Sequence, residues 1–259
     1  MFFLFFSFFF GLITGSFLNC VIYRIEKKES FIVGRSYCPN CKHILSWKDL
    51  IPVFSFVLLK GKCRYCQKRI SLQYPLVELS TGFLFFFTAF FLEPITLDKI
   101  FLLFYFWFIF SLFLVIFVFD LKYLLIPDSV LNLGIIASLI FVFFQFLQNG
   151  YFDFYYLLLS LLPSLFFLFL VLVSKETLMG FGDFKLSVFL GLFLGWQKFI
   201  IALFVSFFLG AILGIFLIIL KKKNLKSKMP FAPFLILAAI FALFFGERII
   251  SIYQKLFSF

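Results

Sequence analysis

Acidic side chains are scarce in this chain. Its 259 residues hold 12 Asp and Glu against 23 Lys and Arg, and charged residues of both signs make up only 14%. An ordinary soluble domain carries about 25% charged residues and is about half apolar. This chain is 64% hydrophobic, with a mean hydropathy of +1.15, which excludes that class. Histidine occurs once, as His43. It sits in the one long polar segment beside a cysteine pair, so no serine–histidine or cysteine–histidine nucleophile competes for a catalytic role. Also missing are a basic region ahead of the first apolar run and an evident small-x-small cleavage site. Residues 2–23 are uncharged, so that run reads as a retained first span, not a cleaved signal.

What is present is membrane-spanning sequence. Uncharged apolar runs of 18 or more residues recur, long enough to cross a bilayer. Spans are expected near 2–22, 76–92, 100–119, 129–147, 154–174, 186–197, 199–220 and 230–245. Pro127 suits a helix start, Asn149-Gly150 a turn, and Pro163 a kink. The run 186–197 is only twelve residues long, and charge decides its reading. If it crosses, with Lys185 and Lys198 reaching outward at its ends, then Lys221, Lys222, Lys223, Lys226 and Lys228 face the cytoplasm, as positive-inside topology requires. The short helix would then thin the bilayer locally. The fold class is therefore all-α and polytopic, with about eight transmembrane helices, a small cytoplasmic loop domain and both termini outside. It divides into a first helix (1–22), the polar loop (23–75) and a membrane domain (76–259). The formal charge of +11 suits topology and anionic lipid, not nucleic acid. The 50 phenylalanines read as compositional bias on lipid-facing positions. Gly11, Gly15 and Ser16 would let the first helix approach a neighbour closely.

Between Arg24 and Arg69 lie eleven Lys or Arg and three acids, Glu26, Glu29 and Asp49, which puts this loop on the cytoplasmic side. It carries Cys38-Pro39-Asn40-Cys41 and Cys63-Arg64-Tyr65-Cys66, 21 residues apart. Two such pairs can supply four thiolates to one structural zinc with no open coordination position. Disulfides or a redox pair are the alternatives; the reducing side of the membrane and the need of a small loop for a cross-link favour zinc. His43 is surplus to the four ligands, and Cys20 alone reads as a small buried hydrophobe. Trp47, Leu50, Ile51, Pro52, Phe54 and Phe56 pack the loop or rest it on the bilayer.

Glu93, Asp98, Asp153 and Glu247 fall at outer ends and read as solvated. Asp120, Asp128 and Asp183 fall at inner helix ends, where a carboxylate near hydrocarbon signals function. Two carboxylates brought together cannot both ionise comfortably. One can then activate water while the other protonates a leaving amine. Gly180 and Gly182 flank Phe181 ahead of Asp183; they suit a tight turn beside an extended peptide, or only a flexible link. Lys122 and Lys185 each follow an aspartate by two residues and read as inner-side anchors or as charges acting on the carboxylates. A transporter using Asp120 and Asp183 as a proton or ion path is the competing class, though its charges would lie nearer the midplane.

Several segments together carry a resemblance. They are Gly15-Ser16-Phe17-Leu18-Asn19-Cys20-Val21-Ile22-Tyr23-Arg24, the two cysteine pairs, Tyr74-Pro75-Leu76-Val77-Glu78-Leu79, Asp120 with Ile126-Pro127-Asp128, and Gly180-Phe181-Gly182-Asp183-Phe184-Lys185. In this order, over nearly the whole chain, they resemble the bacterial prepilin peptidases, type IV leader peptidases among the glycine-x-glycine-aspartate membrane aspartyl proteases. The resemblance implies Asp120 and Asp183 as the catalytic pair, with Asp128, Gly180, Gly182 and Lys185 in support. It implies type IV prepilins and pseudopilins as substrates, cleaved after glycine on the cytoplasmic face of the inner membrane. N-methylation by S-adenosylmethionine follows in many members, and others would be peptidases alone. The cysteines match the zinc-containing subgroup; Cys20 departs from the small apolar residue common there. No glycine-rich nucleotide fingerprint marks a cofactor site; Asn19 and Glu78 are candidates, and exposed backbone with a small apolar surface is the alternative.

Overall fold

The computed structural model describes residues 1–30, 34–93, 96–150, 154–176, 179–221 and 229–257. Asp153 and the lysines 222, 223, 226 and 228 lie outside the described residues. Nine α-helices occur among the described residues: α1 (Phe2–Lys27), α2 (Phe54–Leu58), α3 (Gln73–Leu92), α4 (Leu97–Tyr123), α5 (Asp128–Asn149), α6 (Phe154–Ser174), α7 (Phe181–Leu194), α8 (Trp196–Ile219) and α9 (Ala232–Phe257). All but α2 and α7 are long and apolar enough to cross a membrane, seven in all. Each expected span has a helix. The ends differ most at α9, which continues through Glu247 and Arg248 to Phe257; Glu247 pairs with Lys198 at 2.8 Å.

The chain forms two compact units, Met1–Val115 and Ile116–Phe259. In the first, α1 and α3 pack closely along their lengths. Small residues make this possible: a Cβ added at Gly11 would lie 2.7 Å from the Gly82 Cα, and one at Gly15 2.7 Å from the Glu78 Cα. The sequence expectation for these glycines therefore holds. Nearby, Phe85 stacks on Trp107 at 4.6 Å, and the Trp107 indole N–H donates to the Phe85 carbonyl at 3.2 Å.

In the second unit α7 is the central helix, packed against α5, α6, α8 and α9. It is about 21 Å long at 1.5 Å per residue, short of a hydrocarbon core of about 30 Å. After Phe181 none of its residues is exposed, and Leu186, Phe189 and Leu190 are fully buried. This changes the reading of a short helix that dents the bilayer. Protein surrounds α7, so its length need not match lipid. Pro127 precedes α5 in extended conformation, as a proline at a helix start should. Pro163 lies inside α6, and Gly150 closes α5 with φ 73°. The exposed phenylalanines of α1, α3 and α8 agree with a lipid-facing surplus.

Candidate active site and metal centre

Asp120 ends the apolar run of α4 and is 5% exposed. Its Oδ2 accepts the backbone N–H of Ala232, the first residue of α9, at 3.2 Å. Asp183 lies in the first turn of α7, where its Oδ2 accepts the Gly180 N–H at 3.3 Å. Each carboxylate thus sits at a helix N-terminus, where orphan N–H groups and the helix dipole favour an anion. The two are close enough to act on one another electrostatically. Both carboxylates lie in the second unit.

The supporting residues divide. Gly180 is extended (φ −80°, ψ 159°) and begins α7. Neither it nor Gly182 has positive φ, so the expected tight glycine turn is not what the backbone shows. Their use is spatial. A Cβ at Gly182 would meet Ile126 at 3.2 Å, whereas one at Gly180 would meet little but the Asp183 carboxylate at 3.9 Å. Gly182 lets the Ile126-Pro127 segment approach, and Gly180 leaves open space beside Asp183. Lys185 does not bond to the pair; its Nζ meets Asp128 Oδ1 at 2.6 Å, with the Asp128 side chain 65% exposed. Asp128 and Lys185 therefore form a surface ion pair that ties the start of α5 to α7.

The cysteines converge in the first unit. The four Sγ atoms of Cys38, Cys41, Cys63 and Cys66 lie within 4.8 Å of one another, with Cys38 and Cys66 at 4.0 Å. All five cysteines are free. Each pair sits in a knuckle of the same build. The Cys38 N–H donates to the His43 carbonyl and the Lys42 N–H to the Cys38 carbonyl; Cys63, Lys68 and Gln67 repeat the pattern. Lys42 and Gln67 both have φ 59°, and one antiparallel bridge closes each knuckle, Tyr37 with Ile44 and Lys62 with Arg69. Burial opposes the Cys38 thiolate, but the backbone amides of Cys41 and Asn40 outweigh it and bring the pKa down to about 7. The Cys66 thiol moves the other way, to about 11: the Lys68 amide lowers it, but burial and the neighbouring thiols prevail. A tetrahedron with bonds of about 2.3 Å to zinc has sulfur–sulfur edges of about 3.8 Å, so the cluster could hold such an ion with little movement. His43 lies outside it, its ring 3.7 Å from that of Tyr65. Cys20 is half-buried on α1.

Sequence reasoning passed over Asp49. Its carboxylate accepts from the Ser46 N–H and hydroxyl, from Arg64 Nε at 2.8 Å and from the Tyr65 hydroxyl at 3.0 Å. It braces the segment between the knuckles against the second knuckle. Burial raises its pKa, yet Arg64, Ser46 and Tyr65 prevail and bring it down to about 2. A depressed carboxylate contributes stability above its unfolded pKa, near 4, and loses it as pH falls through the folded value. The brace therefore holds at neutral pH. Its place between the two pairs and the Ser46-x-x-Asp49 spacing of a capping box were the signals for this role. The cofactor candidates Asn19 and Glu78 are buried at the end of the α1–α3 contact. The Asn19 amide donates to the Gly15 and Tyr74 carbonyls, and Glu78 accepts the Val53 N–H at 2.7 Å.

Comparison with known proteins agrees with both units. The Bacterial Peptidase A24 N-terminal domain matches residues 9–92, and the Type IV leader peptidase family matches residues 107–215. Among similar proteins, a prepilin leader peptidase/N-methyltransferase of Aeromonas salmonicida (strain A449) is 35% identical, over 93% of this chain and 90% of its own length. The Bacillus subtilis (strain 168) protein of the same description is 34% identical over 96% and 97%. That of Pseudomonas aeruginosa is 33% identical over 95% and 91%. No solved structure matches. With two carboxylates paired at helix N-termini, a four-cysteine cluster and relatives aligned almost end to end, the chain belongs to the type IV leader peptidase family.

Proposed function

We propose that this chain is a membrane aspartyl endopeptidase that removes the leader of type IV prepilins and pseudopilins and then N-methylates the new N-terminus. What supports the reading is that Asp120 and Asp183, both in the second unit, each accept an N–H at a helix N-terminus, of α9 and of α7. The pair holds one proton. The ionised carboxylate takes a proton from water, whose oxygen adds to the carbonyl of the glycine before the cleavage point. The protonated carboxyl then gives its proton to the departing amine as the C–N bond breaks. Open space beside Gly180 admits an extended peptide. Two carboxylates at helix ends suit hydrolysis better than a midplane ion path.

Cys38, Cys41, Cys63 and Cys66 would hold a structural zinc that keeps the loop of residues 23–75 folded, while residues 76–259 form the peptidase domain. S-adenosylmethionine would supply the methyl group. The chain would sit in the bacterial inner membrane as a multi-pass protein with α7 as an eighth crossing. The basic loop would be cytoplasmic, both termini outside, and lipids its surroundings. The test is mass spectrometry of a pilin treated with the purified full chain and the methyl donor. A pilin cut after glycine and carrying one N-methyl group is expected. A cut but unmethylated pilin would mean a peptidase alone, and an intact leader would favour the transporter.

Asp128→Asn is expected to change the cleavage rate less than about fivefold, because an exposed ion pair contributes about 1 kcal/mol at most. Initial rates at saturating substrate check this. A loss as large as that of Asp183→Asn would put Asp128 in the proton transfer itself.

A further inference from the structure

Glu78 presents a problem that neither cleavage nor metal binding answers. It is 7% exposed within the membrane-spanning α3, and no ion pair reaches it among the described residues. A buried carboxylate without an ion pair is costly and is a functional candidate by default. The other buried carboxylate of this unit, Asp49, is paired with Arg64. Among the described residues Glu78 meets only neutral donors, the Ser16 hydroxyl and the Val53 N–H at 2.7 Å.

The second of these donors is strained. Val53 has φ 60° and ψ −48°, and the Phe54 N–H reaches back to the Pro52 carbonyl at 2.6 Å. This is the positive-φ γ-turn, the rare and strained form, centred on a β-branched residue for which positive φ is a true outlier. Such strain persists where surroundings impose it and gathers at functional sites. Here the carboxylate is what holds the turn. Beside it, Gln73 donates to Asn19 Oδ1 at 3.2 Å, yet its own Oε1 is buried with no donor. The end of the α1–α3 contact thus offers acceptors that lack a strong donor. An ammonium group, with three donors and a positive charge, has the complementary chemistry.

We propose that Glu78 receives the N-terminal ammonium released by leader cleavage and takes its proton for methylation; this rests on the bifunctional reading above. The α-amino group titrates near pH 8, so most of it is protonated and cannot attack a methyl donor. One proton passes from the ammonium to the Glu78 carboxylate. The freed nitrogen lone pair forms the N–CH₃ bond at the expense of the S–CH₃ bond of a methylsulfonium donor, whose bonding electrons stay on sulfur as a thioether. The product is a methylammonium, and the Glu78 carboxyl returns its proton to solvent. The strained Val53 N–H is a place-holder, displaced by a charge-assisted hydrogen bond about twice as strong.

The test uses the full chain in lipid nanodiscs, a recombinant prepilin and mass spectrometry of the product. Glu78→Gln is expected to keep cleavage within about twofold and to slow methylation at least 100-fold, the lower range for a lost general base. Glu78→Asp should recover part of it. Without methyl donor, wild type should bind a mature pilin peptide with a free N-terminus better than its acetylated form, and Glu78→Gln should lose that preference. Val53→Gly relieves the strained turn and is expected to slow methylation severalfold with cleavage unchanged. Methylation by Glu78→Gln at the wild-type rate overturns the proposal. So does an equal loss of cleavage and methylation in both Glu78 variants, a preference for the free amine that survives in Glu78→Gln, or undiminished methylation by Val53→Gly. A wild-type enzyme that cleaves but never methylates overturns the bifunctional reading itself, and this inference with it.

Discussion

Asparagine at either Asp120 or Asp183 is expected to abolish leader cleavage while the chain still inserts in the membrane. The amide is nearly isosteric with the carboxylate, and its oxygen can still accept the N–H of Ala232 or of Gly180. Helix packing around α7 is made by Leu186, Phe189 and Leu190, which neither change disturbs. What is lost is the exchangeable proton. Positioned acid–base groups contribute roughly 100- to 10,000-fold each, so each variant should fall by at least that much in single-turnover cleavage of a purified prepilin. Because the pair shares one proton, the losses should not add. The double variant is expected to be no slower than the slower single one. Wild-type cleavage by both purified single variants would sink the two-aspartate mechanism.

Joint replacement of Cys38 and Cys63 by serine is the second large effect. Each change removes one sulfur from a separate knuckle, leaving two ligands where a structural zinc needs four. Structural zinc in finger peptides binds with about 10–16 kcal/mol, and that binding is folding free energy. Bound zinc per chain should drop from one to none by elemental analysis. The loop should open to trypsin at Lys42, Lys48 and Lys60, sites that strong chelation should expose in the wild type as well. Methylation should fall with it, because the loop carries Val53 to Glu78. Cleavage should outlast both, since Asp120 and Asp183 themselves lie in the second unit, outside the loop. A double variant that keeps zinc, or a loop that stays protected without it, would exclude the four-thiolate site.

How far the sequence could be read depended on the range of the signal. Helix positions follow from uncharged runs, because a spanning backbone must satisfy its own hydrogen bonds. The cysteine cluster was legible because ligand spacing within each knuckle is local, and only the meeting of two knuckles is tertiary. Gly11 and Gly15 were legible for the same reason, through small residues at helical spacing. The charges were harder. Lys185 stands two residues from Asp183 in sequence, but on a helix such neighbours point apart. Its partner is Asp128, 57 residues away. Asp49 looked like one acid among eleven basic residues; two of its hydrogen bonds come from Ser46 close by, but the two from Arg64 and Tyr65 come from chain folded back on it.

The glycines before Asp183 show where local reasoning stops. Gly180-Phe181-Gly182 suggested a tight turn, yet both backbones are ordinary and the reason lies in what approaches them. The sequence alone determined a polytopic helical protein, four convergent thiols, and carboxylates at helix ends, because hydrophobic length, ligand spacing and charge position are written along the chain. Tertiary structure decided that α9 offers its first N–H to Asp120, that α7 is sheathed by four helices, and that Val53 closes on Glu78. Those are contacts between distant segments, set by packing, and no window of sequence contains both sides of any of them.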